Sequence, residues 1–88
     1  MYKIQYHTKT LKEIEKLKAK KLDIKVKKLI DVLKNNPYQN PPPYEKLVGE
    51  LNGYYSRRIN FKHRLVYKID EEQKVVSILS MWTHYENM

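Results

Sequence analysis

Five side chains in the second half of the chain have types suited to chemistry: Glu45, Arg57, Arg58, Arg64 and His84. Together they suit cleavage of RNA without a metal. That reaction needs a base to take the proton of the 2′-hydroxyl and an acid to protonate the departing 5′-oxygen. It also needs cations to stabilise the charge on a five-coordinate phosphate. A glutamate side chain is ionised at neutral pH and accepts a proton, while a histidine titrates near neutrality and can donate one. Arginine's planar fork matches phosphate oxygens. Tyrosines, of which there are eight, can hold nucleotides by stacking, although Tyr2, Tyr6 and Tyr67 read as packing. His7, His63 and His84 are scattered and Glu71-Glu72 sits in a turn, so the spacing suggests no metal and no other cofactor.

Each residue also has a plainer reading. Glu45 is a single charge in a surface loop, and Arg57-Arg58 side by side on a strand can guard a sheet edge. Arg64 can simply pair with Glu45 or Asp70. His84 lies four residues from the end, where tails are often loose.

The charge pattern narrows the choice. Lys and Arg number 18 against 10 acids, a net charge of +8, which favours polyanions such as nucleic acid. Ten lysines and no arginine fall between Lys9 and Lys34, whereas all three arginines lie between positions 57 and 64. The first half reads as electrostatic steering, or as a solvated lysine face, and the second half as a site.

Those side chains need elements to position them. Tyr2 to Tyr6 alternates apolar and polar residues, the period of a half-buried strand. Thr8 or Thr10 can cap a first helix with Leu11, Ile14 and Leu17 along one face, ending near Lys18-Ala19-Lys20-Lys21. Asp23 can cap a second helix bearing Val26, Leu29, Ile30 and Leu33, closed by Asn35-Asn36-Pro37. Residues 37–44, with prolines at four of eight positions, form a stiff loop. Strands then follow at 54–59, 63–69 and 74–82, the last nearly continuous in apolar residues and hence central.

The expected fold is α+β. An N-terminal strand is followed by two antiparallel helices that pack on one face of a twisted antiparallel sheet, which a C-terminal three-stranded meander completes. One domain spanning 1–88 suits this length. With no cysteine, no apolar run of membrane-spanning length and no signal-like N-terminus, the expected setting is the cytoplasm, without membrane contact. By alternation Arg58 shares a face with Tyr54 and Ser56, while Arg57 points the other way with Tyr55 and Ile59. Arg58, Arg64 and His84, with Glu45 entering from the loop, can then converge. Composition and spacing alone reach a basic α+β domain that binds nucleic acid.

A resemblance goes further. Glu45-Lys46-Leu47, then Leu51 to Ile59 with Ser56-Arg57-Arg58-Ile59, then His63-Arg64-Leu65-Val66-Tyr67, closing in His84-Tyr85, resembles the Txe/YoeB branch of the RelE/ParE toxin superfamily. The second half carries the specific matches, and the N-terminal third matches in pattern only.

The resemblance implies the RelE-like fold and a toxin that enters the ribosomal A site and cuts mRNA. It implies Glu45 as general base, His84 as general acid and Arg64 as stabiliser of phosphate charge. Arg58 is a second phosphate contact, and Tyr85 is a catalytic tyrosine that helps place the nucleotide or supports proton transfer. A family lysine three residues after the glutamate is Val48 here, and Lys46 is the candidate substitute; Arg57 completes the expected phosphate-binding set. The implied partners are a YefM/Axe-like antitoxin, the ribosome with its small-subunit rRNA, mRNA, and a second copy as a homodimer. Two rivals remain: a ParE-like toxin that binds DNA gyrase without catalysis, and a plain RNA-binding module. One scaffold can host all three.

Overall fold

A computed structural model of the chain describes residues 1–82. Its elements are β1 (Lys3–Tyr6), α1 (Thr8–Ala19), α2 (Asp23–Asn35), β2 (Tyr44–Lys46), β3 (Tyr54–Arg58), β4 (Arg64–Asp70) and β5 (Val75–Ser80). A single 3-10 turn, Gly49–Leu51, links β2 to β3. The five strands form one sheet in the order β1-β5-β4-β3-β2.

Two features correct the expected sheet. It is mixed rather than antiparallel, because β1 runs parallel to β5, with Lys3 opposite Val75 and Tyr6 opposite Ile78. A hairpin forces its strands antiparallel, but β1 reaches its neighbour through a long connection that leaves the direction free. The segment expected to carry Glu45 as loop is also a strand, β2, pairing antiparallel with β3. Three residues directly after a proline run are too few to show a period.

Both helices lie on one face. Leu17, Val26, Leu29, Ile30 and Leu33 meet Leu65, Tyr67, Val76, Ile78 and Met81 from the sheet. Each such aliphatic side chain gains about 1.5–3 kcal/mol from leaving water, which holds this small core together. The second helix buries the four residues expected of it. The first is rotated from expectation: Leu11 is 59% exposed, and Thr10, Glu13 and Leu17 are its buried residues. Its N-cap is His7 rather than a threonine, with Nδ1 accepting from Lys9 N–H at 3.3 Å. Asp23 opens the second helix from inside, as an acid in the first turn where the helix dipole favours it. No helix among the described residues is long and apolar enough to cross a membrane.

Candidate active site

Strand register decides which of the candidate residues share a face. Glu45 pairs with Ser56, Ser56 with Val66, and Arg58 with Arg64. Partners across a ladder point the same way, and alternation puts Leu65, Tyr67, Tyr55 and Arg57 toward the helices. Glu45, Ser56, Arg58 and Arg64 therefore sit together on the opposite face, supplied by three adjacent strands. Arg64 Nη1 lies 3.4 Å from Glu45 Oε1, and the Arg64 side chain is only 13% exposed. Arg58 is exposed. Ser56 and Val66 are buried on the adjacent rung, and Ser56 Oγ has no hydrogen-bond partner among the described residues.

Like charges directly across a sheet repel. Placing Arg58 opposite Arg64 therefore opposes folding, and the Glu45 carboxylate offsets it only in part, since an ion pair this exposed contributes ~1 kcal/mol or less. The arrangement suits an anion site: two arginines on one rung, with the Glu45 carboxylate beside Arg64 as a proton acceptor.

Two candidates expected here are elsewhere. Arg57 is 1% exposed on the helix side of the sheet. Its Nη2 donates to the carbonyls of Pro37 and Gln39, each at 2.9 Å, its Nη1 to Pro42 O, and its Nε to the Tyr67 hydroxyl at 2.9 Å. Arg57 fastens the proline loop to the sheet and presents no donor to a phosphate. Lys46 pairs with Tyr55, a residue packed against the core, so it lies on the face opposite Glu45 and cannot stand in for the family lysine there. Val48 is 84% exposed, past the end of β2. His84 and Tyr85 lie outside the described residues.

The tyrosines serve the loop more than any ligand. Tyr55 stacks on Tyr67 with centroids 5.8 Å apart and meets Tyr44 and Tyr38 edge-on at 5.7 and 6.3 Å. Burial pushes the Tyr67 hydroxyl up to about 12, against the opposing pull of Arg57. Tyr54 is the exception, half-buried on the face of Glu45 with Lys68 Nζ 5.8 Å from its ring centre.

Sequence reasoning passed over two buried groups that fix the end of β5. The Glu13 carboxylate accepts from Met81 N–H at 3.0 Å and Ser80 Oγ–H at 3.3 Å. His63 bonds through Nδ1 to the Trp82 carbonyl and stacks on the Trp82 ring at 4.2 Å. A signal for Glu13 existed, since it falls on the stripe of Thr10 and Leu17 at helical spacing. Among the described residues no three His, Asp or Glu side chains gather as metal ligands.

Residues 6–85 match the family of YoeB-like toxins of bacterial type II toxin–antitoxin systems. The chain belongs to this family. The YoeB toxin of Synechocystis is 39% identical over 67 residues, covering 76% of each chain. The YoeB–YefM complex of Staphylococcus aureus superposes with a TM-score of 0.79 at 32% identity, over 97% of this chain and 99% of that one. A YoeB dimer from S. aureus superposes with a TM-score of 0.73 at 32% identity, over 96% of this chain and 98% of that one. An archaeal RelE–RelB complex from Pyrococcus horikoshii shares the fold, with a TM-score of 0.76 at 22% identity over 93% of each chain. This YoeB-like chain thus has two helices on a five-stranded mixed sheet of RelE type. It is a toxin of a type II toxin–antitoxin pair.

Proposed function

We propose that this toxin is a ribosome-dependent mRNA endoribonuclease that cleaves by attack of a 2′-hydroxyl on the adjacent phosphate. The observation that carries the reading is the Arg58–Arg64 rung with Glu45 3.4 Å from Arg64. Glu45 takes the proton of the 2′-hydroxyl as its oxygen bonds to phosphorus. Arg64 and Arg58 hold the charge that grows on the phosphate oxygens. The bond to the 5′-oxygen then breaks, and His84, by its match to the family motif, returns a proton to that leaving oxygen. Tyr85 helps to place the nucleotide. The chain would act as a single domain and without a cofactor.

The partners follow from the same reading. The lysines of both helices are exposed and suit the phosphates of ribosomal RNA, with affinity that falls steeply as salt rises. A YefM-like antitoxin with an acidic segment would neutralise the surface, in keeping with the S. aureus complex. Self-association of the free toxin, as in the S. aureus dimer, is the expected alternative state. The ribosome places the activity in the cytoplasm.

The test is to add the protein to translating ribosomes and map the new mRNA ends. Glu45→Ala, Arg64→Ala and His84→Ala should each cut the rate by about 10²- to 10⁴-fold. Three variants that cleave like the parent would overturn the assignment. An arrest of replication that precedes any arrest of translation would favour gyrase binding instead.

A further inference from the structure

A second surface feature lies at the same end of the sheet and is not used by the chemistry above. The chain has one phenylalanine, Phe61, and it is 84% exposed. It stands at the tip of the β3–β4 hairpin, directly beyond the Arg58–Arg64 rung. The tip is fixed rather than loose. Asn60 Oδ1 accepts from the backbone N–H groups of Lys62 at 2.8 Å and His63 at 2.7 Å, and Ile59 N–H donates to His63 O at 2.9 Å.

Behind the tip is a groove of about 360 Å³ lined by Lys20, Leu22, Asn60, Phe61, Lys62, His63 and Trp82. That volume is at the small end of ligand clefts, which run from roughly 300 to 1,000 Å³. One wall is the stacked His63–Trp82 pair, and Lys16 Nζ sits 5.6 Å from the Trp82 ring centre. Both partners of that stack are thus engaged, which makes the wall rigid and leaves Phe61 as the open aromatic face. Lys20 and Lys62, both exposed, line the same groove.

A phenyl ring with lysines around it matches how single-stranded nucleic acid is held. Bases stack on the ring and phosphates run along the cations. The tip belongs to the same hairpin as the arginine rung, three residues from each arginine, so a strand whose phosphate lies at Arg58 and Arg64 would pass its neighbouring nucleotide around the end of the sheet to reach the tip. We propose that Phe61, with Lys20 and Lys62, forms a subsite that stacks one unpaired base of RNA next to the phosphate held by Arg58 and Arg64. The subsite rests on the endoribonuclease reading for its substrate and on its own geometry for its existence.

Trp82 is the chain's one tryptophan and lies in this groove, so its fluorescence reports occupancy. The experiment titrates a short unstructured RNA into the parent, Phe61→Ala and Phe61→Tyr, with mRNA-end mapping on ribosomes run separately. Phe61→Ala should weaken binding about 5- to 150-fold, the equivalent of ~1–3 kcal/mol for one stacked base, while Phe61→Tyr keeps the parent affinity. An abasic site at one position of the RNA should weaken the parent and add nothing to Phe61→Ala. Lys62→Gln should reduce the salt dependence by about one charge. Identical titrations for the parent and Phe61→Ala would overturn the subsite, whatever the mapping shows. A Phe61-dependent titration by a parent that cuts no mRNA would sink the nuclease reading and leave the subsite standing. If Phe61→Ala spares RNA binding and instead loosens the antitoxin, the face belongs to a protein and the proposal is wrong.

Discussion

Replacing Arg57 with lysine keeps a positive charge and removes the fork, so it separates loop anchoring from phosphate binding. In the native fold the guanidinium serves four acceptors: the carbonyls of Pro37, Gln39 and Pro42, and the Tyr67 hydroxyl. Gln39 is exposed and Pro42 half-buried, so water can reach those two carbonyls once the fork is gone. Pro37 and Tyr67 are buried, and their oxygens lose partners outright. Hydrogen bonds to a charged donor contribute about 1.5–3 kcal/mol each, and one ammonium can recover one of the two buried acceptors at best. Arg57→Lys should then cost about 2–3 kcal/mol. For a domain of this size that is a fall of roughly 8–24 °C in Tm. Urea or thermal unfolding followed by Trp82 fluorescence measures it, with RNA affinity of the folded variant measured beside it. A variant as stable as the parent that binds RNA poorly would refute the anchoring role and return Arg57 to the phosphate contacts.

Tyr67 gives a pH signature. Its folded pKa of about 12 exceeds the ordinary value of 10.0, so its contribution is complete below pH 10 and is lost as the pH rises from about 10 to 12. The full loss is on the order of 3 kcal/mol, and Tyr67→Phe should flatten that part of the alkaline unfolding curve. Lys21 sits between the helices with φ of 59°, where a side chain is strained. Lys21→Gly should raise stability by up to ~1 kcal/mol in urea melts, and a loss would show that the turn is held by the lysine itself. Lys46→Ala should leave mRNA cleavage unchanged while Arg58→Ala lowers it at least tenfold, about 1.4 kcal/mol. Equal losses from the two would mean that both faces of β2 matter.

The helices and the meander were legible because their periods are long and clean: four apolar positions in α2 at spacings of three and four, and strands separated by turn residues. Alternation also separated Arg57 from Arg58 correctly, yet it did not say which side would be closed by the proline loop. That depends on carbonyls 15 to 20 positions away in the chain, which no local pattern records. Lys46 failed for a related reason. Its face follows from pairing with Tyr55, and β2 is too short to announce itself as a strand. Glu13 carries no local signal of a partner and His63 reads as one of three scattered histidines, and only the tertiary fold brings them to the end of β5.

The parallel pairing of β1 with β5 has a consequence for when this toxin becomes a toxin. Among the described strands, the one made first has as its sheet neighbour the one made last. The intervening helices cannot bury their stripes on a complete sheet until β5 leaves the ribosome, because so distant a contact waits for the whole chain. The β3–β4 hairpin that holds the arginines can form early, but the end of β5 and the Glu13 contact that fixes it come last. A chain still being made thus lacks the finished sheet, and a neutralising partner has that interval in which to arrive.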